Sequence, residues 1–235
     1  MTRADDLAAA LEQLVGRVRD ACHAADRAPD SVRLLPVTKF FPASDIEILY
    51  GLGCREFGES REQEASGKVA ALANDAIGWH MIGRLQRNKA RAVAKWASTV
   101  HSVDDPRLVA ALDSGAGDAL AAGTRSSALR VLLQVSLDDD PARGGATPDA
   151  IPALAESVAA ATNLELGGVM AIPPLGQAPE RAYERLALVH EDLLRGYPKA
   201  TDRSAGMSGD LEVAVRYGST CVRVGTALMG ARPIN

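Results

Sequence analysis

Paired cysteines, aromatic residues, an excess of positive charge and long apolar runs are all scarce or missing in this chain. Its three cysteines, Cys22, Cys54 and Cys221, are odd in number and far apart. That pattern excludes a disulfide framework and a Cys-x-x-Cys metal knuckle, and it predicts reduced thiols in the cytoplasm. Aromatic residues make up 4% of the chain, so the core must be built mainly from Ala, Val and Leu. With 26 basic against 30 acidic residues the net charge is −4, which gives no general attraction to nucleic acid or to an anionic membrane. No run is apolar for long enough to span a bilayer. The opening Met1-Thr-Arg-Ala-Asp-Asp-Leu7 lacks the apolar stretch of a signal peptide. No short solenoid repeat is visible, and no long polar or Pro/Gly-rich linker divides the chain. The 235 residues therefore predict one domain over 1–235.

What is present is a repeated alternation. Leu7, Leu11, Leu14, Val15 and Val18 recur at helical spacing within Asp5 to Asp26, which predicts an opening helix. Short apolar runs follow at Val32–Thr38, Arg55–Gly58, Gly78–Ile82, Thr99–Ser102, Arg130–Val135, Leu164–Ile172, Ser204–Gly206 and Cys221–Val224. Helical stretches separate them, over about Pro42–Leu52, the residues up to Leu72, Gln86–Lys95, Pro106–Leu112, Pro148–Ala161, Pro179–Arg195 and Asp210–Tyr217. Eight short strands alternating with helices predict an α/β chain, a single (β/α)8 TIM barrel with an extra N-terminal helix. Ser204–Gly206 is the weakest strand signal, being short and small-residued.

In such a barrel the working face lies at the C-terminal ends of the strands. The residues there are polar: Lys39, Glu59, Ser60, His80, Gly83, His101, Ser102, Gln134, Ser136, Met170, Met207, Ser208, Arg223, Gly225 and Thr226. Lys39 leaves the end of Leu34-Leu-Pro-Val-Thr38, where partial desolvation would lower its pKa and free the amine to attack an aldehyde. A lysine whose head simply reaches solvent is the alternative. Met207-Ser-Gly-Asp210 and Val224-Gly-Thr-Ala227 follow the last two strands, where barrels often bind phosphate through backbone N–H groups. Ser208 could equally be a plain helix N-cap. Alternation puts Cys221, Arg223 and Gly225 on one face of the last strand, so Arg223 points into the barrel and needs an acceptor. That acceptor is either a ligand heteroatom or a carboxylate such as Glu56 or Glu59. His80 and His101 have no third ligand nearby, so they predict hydrogen-bonded core histidines and no metal site. The basic run Arg84–Arg91 reads as a solvated helix face, and Asp138-Asp-Asp140 as a solvated loop.

Taken together, the chain resembles the pyridoxal phosphate homeostasis proteins (the YggS/PLPBP type), relatives of the barrel domain of alanine racemase. The matching stretches are Leu35-Pro-Val-Thr-Lys39, Phe57-Gly-Glu-Ser60, Trp79-His-Met-Ile-Gly83 with Leu85-Gln86 and Asn88-Lys89, and His101-Ser102. Later come Gly168–Pro173, Gly206-Met-Ser208, Gly218–Ala227 and Gly230-Ala-Arg232. The resemblance implies pyridoxal 5′-phosphate as cofactor, Lys39 as its Schiff-base lysine, and phosphate contacts from Ser208, Gly225 and Thr226. It implies Met207 beside the cofactor and Arg223 facing the pyridine nitrogen, with Ser60 and His80 as further cofactor contacts. An arginine there cannot accept the proton that an aspartate would hold in place, so carbanion chemistry is poorly supported. Two departures stand out. Ser60-Arg61 replaces the family's Asn-Tyr, and Arg143 stands before Gly144 where many members have lysine.

The resemblance further implies a carrier or buffer of pyridoxal phosphate in vitamin B6 homeostasis, cytoplasmic and monomeric, with transient contacts to pyridoxal phosphate-dependent enzymes. Alanine racemase takes its second base from a further domain and a partner subunit, and Asn235 follows the eighth strand too closely to leave room for that domain. The chain is therefore expected not to be an enzyme. A weak racemase with His80 or a loop residue as second base is one alternative. An aldolase-like enzyme using Lys39 on a phosphorylated sugar is another.

Overall fold

A computed structural model describes residues 2–138, 143–174, 176 and 178–231. Asp139, Asp140 and Arg232, which entered the sequence reading, lie outside the described residues. Eight parallel strands form one sheet in the order β1-β8-β7-β6-β5-β4-β3-β2. In chain order they are β1 Arg33–Pro36, β2 Glu56–Glu59, β3 Gly78–Met81, β4 Thr99–Val103, β5 Leu129–Gln134, β6 Leu164–Met170, β7 Asp202–Ser204 and β8 Cys221–Val224. A parallel bridge between Val37 and Gly58 brings the two end strands together, and the sheet closes as an α/β barrel.

The helices are α1 Arg3–Ala24, α2 Ala43–Gly51, α3 Glu62–Leu72, α4 Ala90–Trp96, α5 Pro106–Ala121, α6 Ile151–Ala159, α7 Pro179–Gly196, α8 Leu211–Arg216 and α9 Thr226–Met229. The opening helix α1 lies outside the eight strand–helix units. Thr2 caps it, accepting the N–H of Asp5, while the Asp5 carboxylate accepts the N–H of Thr2. Among the described residues no helix is long and apolar enough to cross a membrane.

Strand alternation divides the core into two layers. Leu129, Val131 and Leu133 of β5 face outward with Leu108, Leu112 and Leu154 of the helices around them. Val222 and Val224 of β8 face outward against Leu14, Val18, Leu211 and Val215. The inward set is unusually polar at the N-terminal mouth of the barrel. There Arg33 meets Glu56 at 3.2 Å, and Arg130 meets Asp202 at 3.0 Å.

The sequence and the structure differ in several places. The basic run Arg84–Arg91, expected as a solvated helix face, is loop and a 3-10 turn over Arg87–Lys89, and α4 starts only at Ala90, with Leu85 and Ala90 buried. Helix α5 runs to Ala121, well past Leu112, because Gly115 and Gly117 are not breakers here. A Cβ on Gly115 would stand 2.9 Å from the Cα of Arg91, so glycine lets α4 approach closely. Strand β7 lies two residues earlier than expected. Its residues are polar because Asp202 pairs with Arg130, and Arg203 bonds His190 Nδ1 at 3.0 Å.

Candidate functional site

A cavity of about 410 Å3 opens at the C-terminal end of the barrel. Lys39, Ser60, Met207, Ser208, Arg223, Gly225 and Thr226 all line it. These residues come from the loops after β1, β2, β7 and β8 and from the end of β8 itself, so strands distant in sequence converge on one opening. The size suits a small organic ligand.

Lys39 is half-buried, with its Nζ 5.9 Å from the centre of the Phe40 ring. The next residue, Phe40, has φ of 72°, a left-handed conformation that costs a large side chain energy and persists only where neighbours enforce it. The enforcing group is Glu64, whose Oε1 accepts the Phe40 N–H at 2.5 Å. Glu64 is in turn bound by Lys68 Nζ at 2.7 Å. The same ammonium donates to Glu59 Oε1 at 2.7 Å and to the Thr38 carbonyl at 2.9 Å, and the Thr38 hydroxyl donates to Glu59 Oε1 at 2.6 Å. Burial pushes the Glu59 carboxyl above its usual pKa, against the opposing pull of Lys68. Lys68 and Glu64 were missed from sequence, because a Glu and a Lys four apart on a helix read as a solvated pair. One signal was there: Lys68 falls between Ala65 and Leu72 on the stripe of α3 that faces inward.

Ser208 is not a helix N-cap; Asp210 holds that position for α8. Instead Ser208 Oγ accepts the N–H of Ala227 at 3.2 Å, which ties the loop after β7 to the turn after β8. Asp210 braces the first of these loops, accepting the Met207 N–H at 2.6 Å and the Tyr183 hydroxyl at 2.7 Å. Arg17 of α1 donates to the Ser208 carbonyl at 3.1 Å, and Arg3 to the Met229 carbonyl at 3.1 Å. The extra helix therefore fastens both loops.

Arg223 is buried and points into the barrel. Its acceptor is neither Glu56 nor Glu59. Nη1 donates to the carbonyl and to the hydroxyl of Ser204, both at 2.7 Å, and Nη2 donates to the Ala171 carbonyl at 2.8 Å. A guanidinium has five N–H donors, so the Nε–H and one Nη2–H remain for the cavity.

His80 is not among the residues lining that cavity. Alternation along β3 sends its ring into the lumen one layer below the rim, where Nδ1 meets Nε2 of His101 at 2.8 Å. Both rings are thus hydrogen-bonded core histidines, as their spacing predicted. Burial holds His101 well below the ordinary imidazole pKa, with His80, Arg223 and Arg33 adding to the effect. Arg143 pairs with Asp138 and donates to the Pro173 carbonyl at 2.7 Å, bracing the loop after β6. Among the described residues no group of three His, Cys, Asp or Glu side chains could hold a metal ion.

Residues 11–233 match the family model described as alanine racemase, N-terminal domain. The pyridoxal phosphate homeostasis protein of Mycobacterium tuberculosis is 50% identical over 243 residues, covering 98% of this chain and 94% of that protein. The homologue of the same description in Corynebacterium glutamicum is 45% identical over 210 residues, covering 89% of this chain and 94% of its own length. Among solved structures, PipY of Synechococcus elongatus, determined with PLP bound, superposes with a TM-score of 0.81 at 33% identity. That likeness covers 95% of this chain and all of PipY.

Proposed function

Because this chain belongs to the alanine racemase N-terminal domain family, we propose that it binds pyridoxal 5′-phosphate as a Schiff base on Lys39. We propose further that it acts in pyridoxal phosphate homeostasis as a carrier or buffer, as one domain over residues 1–235. The observation that carries the reading is the convergence of an amine, three hydroxyls and a donor-only guanidinium on one 410 Å3 cavity. The cofactor supplies an aldehyde, an anionic phosphate and a pyridine ring, and each has a chemically matched group here.

Lys39 provides the amine. Its position is set by the turn that Glu64 holds, so little freedom is lost when an aldehyde is captured. Ser208, Gly225 and Thr226 would receive the phosphate, with hydroxyl and backbone donors on two loops already joined through Ala227. Met207 would pack beside the ring, and Ser60 would offer one hydrogen bond from the β2 side. His80 acts only through the lumen and is not assigned a contact. Arg223 would donate to the pyridine nitrogen. Able only to donate, it leaves that nitrogen unprotonated, which disfavours carbanion formation and supports the carrier role.

The name shared by the relatives and the free thiols of Cys22, Cys54 and Cys221 support a cytoplasmic carrier. Partners would be acceptor enzymes that use the cofactor, met transiently by a monomer.

The test is direct. Purified protein loaded with pyridoxal 5′-phosphate should be yellow. Borohydride should bleach it and leave a pyridoxyl mass on the peptide carrying Lys39. A colourless protein trapped only when a sugar phosphate is added would overturn the assignment in favour of an aldolase-like enzyme. Deuterium exchange at Cα of amino acids well above that of free cofactor would overturn the carrier role.

A further inference from the structure

Arg223 is one end of a hydrogen-bonded series that crosses the barrel lumen. From β8 it reaches Ser204 Oγ on β7 at 2.7 Å. Ser204 Oγ lies 3.0 Å from Nδ1 of His101 on β4, the step that spans the lumen between opposite walls. His101 Nε2 lies 2.8 Å from Nδ1 of His80 on β3. His80 Nε2 then faces Glu56 Oε1 at 3.6 Å, and Glu56 is paired with Arg33 at the far mouth. Arg223, Ser204, His101 and His80 are all buried.

The direction of this series is not free. A guanidinium can only donate, so Ser204 Oγ is an acceptor toward Arg223. Its one hydroxyl proton can then go to His101 Nδ1, and in that arrangement Nδ1 is the bare nitrogen. His101 must carry its proton on Nε2 and give it to His80 Nδ1. His80 in turn must carry its proton on Nε2, toward the Glu56 carboxylate. The opposite tautomers would turn the Nε2 lone pair of His80 toward the Glu56 carboxylate and send the Ser204 hydroxyl proton away from the histidines.

We propose that Ser204, His101 and His80 are positioning residues for Arg223, a tautomer-fixed series that holds its guanidinium in the cofactor cavity. The proposal rests on the reading of Arg223 as the group facing the pyridine ring. Two carbonyls alone would leave the guanidinium able to tilt about the Ser204–Ala171 line. The Ser204 hydroxyl adds a third point, and that hydroxyl is aimed by the histidines. Among the described residues no carboxylate pairs with Arg223, and its orientation rests on these neutral acceptors.

The experiment has two arms. Long-range nitrogen–proton NMR on labelled protein freed of cofactor reads the tautomers directly. Both His80 and His101 should be protonated on Nε2 and bare on Nδ1. A proton on Nδ1 of either ring overturns the proposal, whatever the cavity binds. In the second arm Ser204→Ala keeps the Ser204 carbonyl and deletes the hydroxyl. It should bind pyridoxal 5′-phosphate about fivefold more weakly, the loss expected for one hydrogen bond, and displace the absorption band of the bound ligand. Its affinity for inorganic phosphate should be unchanged. An unaltered band and affinity in Ser204→Ala would overturn the positioning role. Failure of the unsubstituted protein to bind the cofactor at all would instead overturn the proposed function, leaving the tautomers to be judged by the first arm.

Discussion

The carboxylate of Glu64 accepts the backbone N–H of Phe40 at 2.5 Å, and in doing so it fixes the residue that follows Lys39 in a left-handed conformation. Helix α3, which begins six residues after the start of β2, thus reaches back to shape the loop after β1. Lys68 completes the arrangement by bonding Glu64, Glu59 and Thr38 at once.

Removal of the Lys68 ammonium should therefore be costly. Lys68→Met leaves two acidic side chains without their cation, and Glu59 is fully buried. Loss of one partner from a buried pair typically costs about 3–5 kcal/mol. Protonation of Glu59, whose pKa burial already raises, should bring the loss to the lower end. Denaturant unfolding at pH 7 measures it, and a loss under about 1 kcal/mol would contradict the burial of this cluster.

Two glycine substitutions should have opposite signs. A Cβ on Gly83 would lie only 2.2 Å from the Ser60 carbonyl oxygen, so the backbone of the cavity wall would have to move. Gly83→Ala should destabilise by about 3 kcal/mol, the upper range for overpacking, and weaken cofactor binding. Gly16 lies inside α1 with nothing within 4 Å of its would-be Cβ. Gly16→Ala should stabilise by roughly 1 kcal/mol through helix propensity. Thermal unfolding of the two variants side by side decides both.

The clasp between α1 and the phosphate loops makes a selective prediction. Arg17→Ala removes the donor to the Ser208 carbonyl and the pairing with Glu212. Binding of pyridoxal 5′-phosphate should weaken by about fivefold, the effect of one hydrogen bond. Unphosphorylated pyridoxal should bind as before. Equal weakening of both, read by titration of absorbance, would show that α1 does not act through the phosphate loops.

Acid should weaken the fold through its neutral histidines. Burial lowers the pKa of His101 and of His190 below the ordinary imidazole value of about 6.5. The unfolded chain then binds more protons than the folded one once pH drops below about 6.5. Their stabilising contribution is complete above that pH and is lost as pH falls toward the folded-state values. The slope should reach at most about 1.4 kcal/mol per pH unit for each ring. Glu59 acts with the opposite sign in a lower window. Its raised folded-state pKa adds stability below about pH 4.5, which fades as pH rises through the folded value. Unfolding free energy measured between pH 7.5 and 5 checks the histidine part, and His190→Gln should flatten it.

Much of this was legible from residue order. Outward valines at 222 and 224 located Arg223 in the lumen, and the apolar run ending at Thr38 located Lys39 at the rim, because period-two alternation is a backbone property. The partners were not legible. That Arg223 would meet Ser204 and Ala171 depends on which strands become neighbours and at what register. The nearest carboxylates in the reading, Glu56 and Glu59, proved to be taken by Arg33 and Lys68. His80 stands in the middle of the run Gly78–Ile82, so its buried ring meets His101 in the lumen while Ile82 and Gly83, further along, line the cavity. Helix α5 extends past the Leu112 expected from sequence, and the close approach of α4 at Gly115 depends on a second helix that one helical pattern does not reveal.

The barrel is joined along its β1–β2 edge by a short ladder: the Val37–Gly58 bridge, with Thr38 N–H donating to the Gly58 carbonyl at 3.0 Å. Side chains reinforce that edge, since Thr38 and Lys68 both reach Glu59 across it. The amine thus stands beside a seam stitched by a hydroxyl and an ammonium as much as by main chain. Loosening along this one line would shift the loop that carries Lys39 while the other seven strand pairings stay in place.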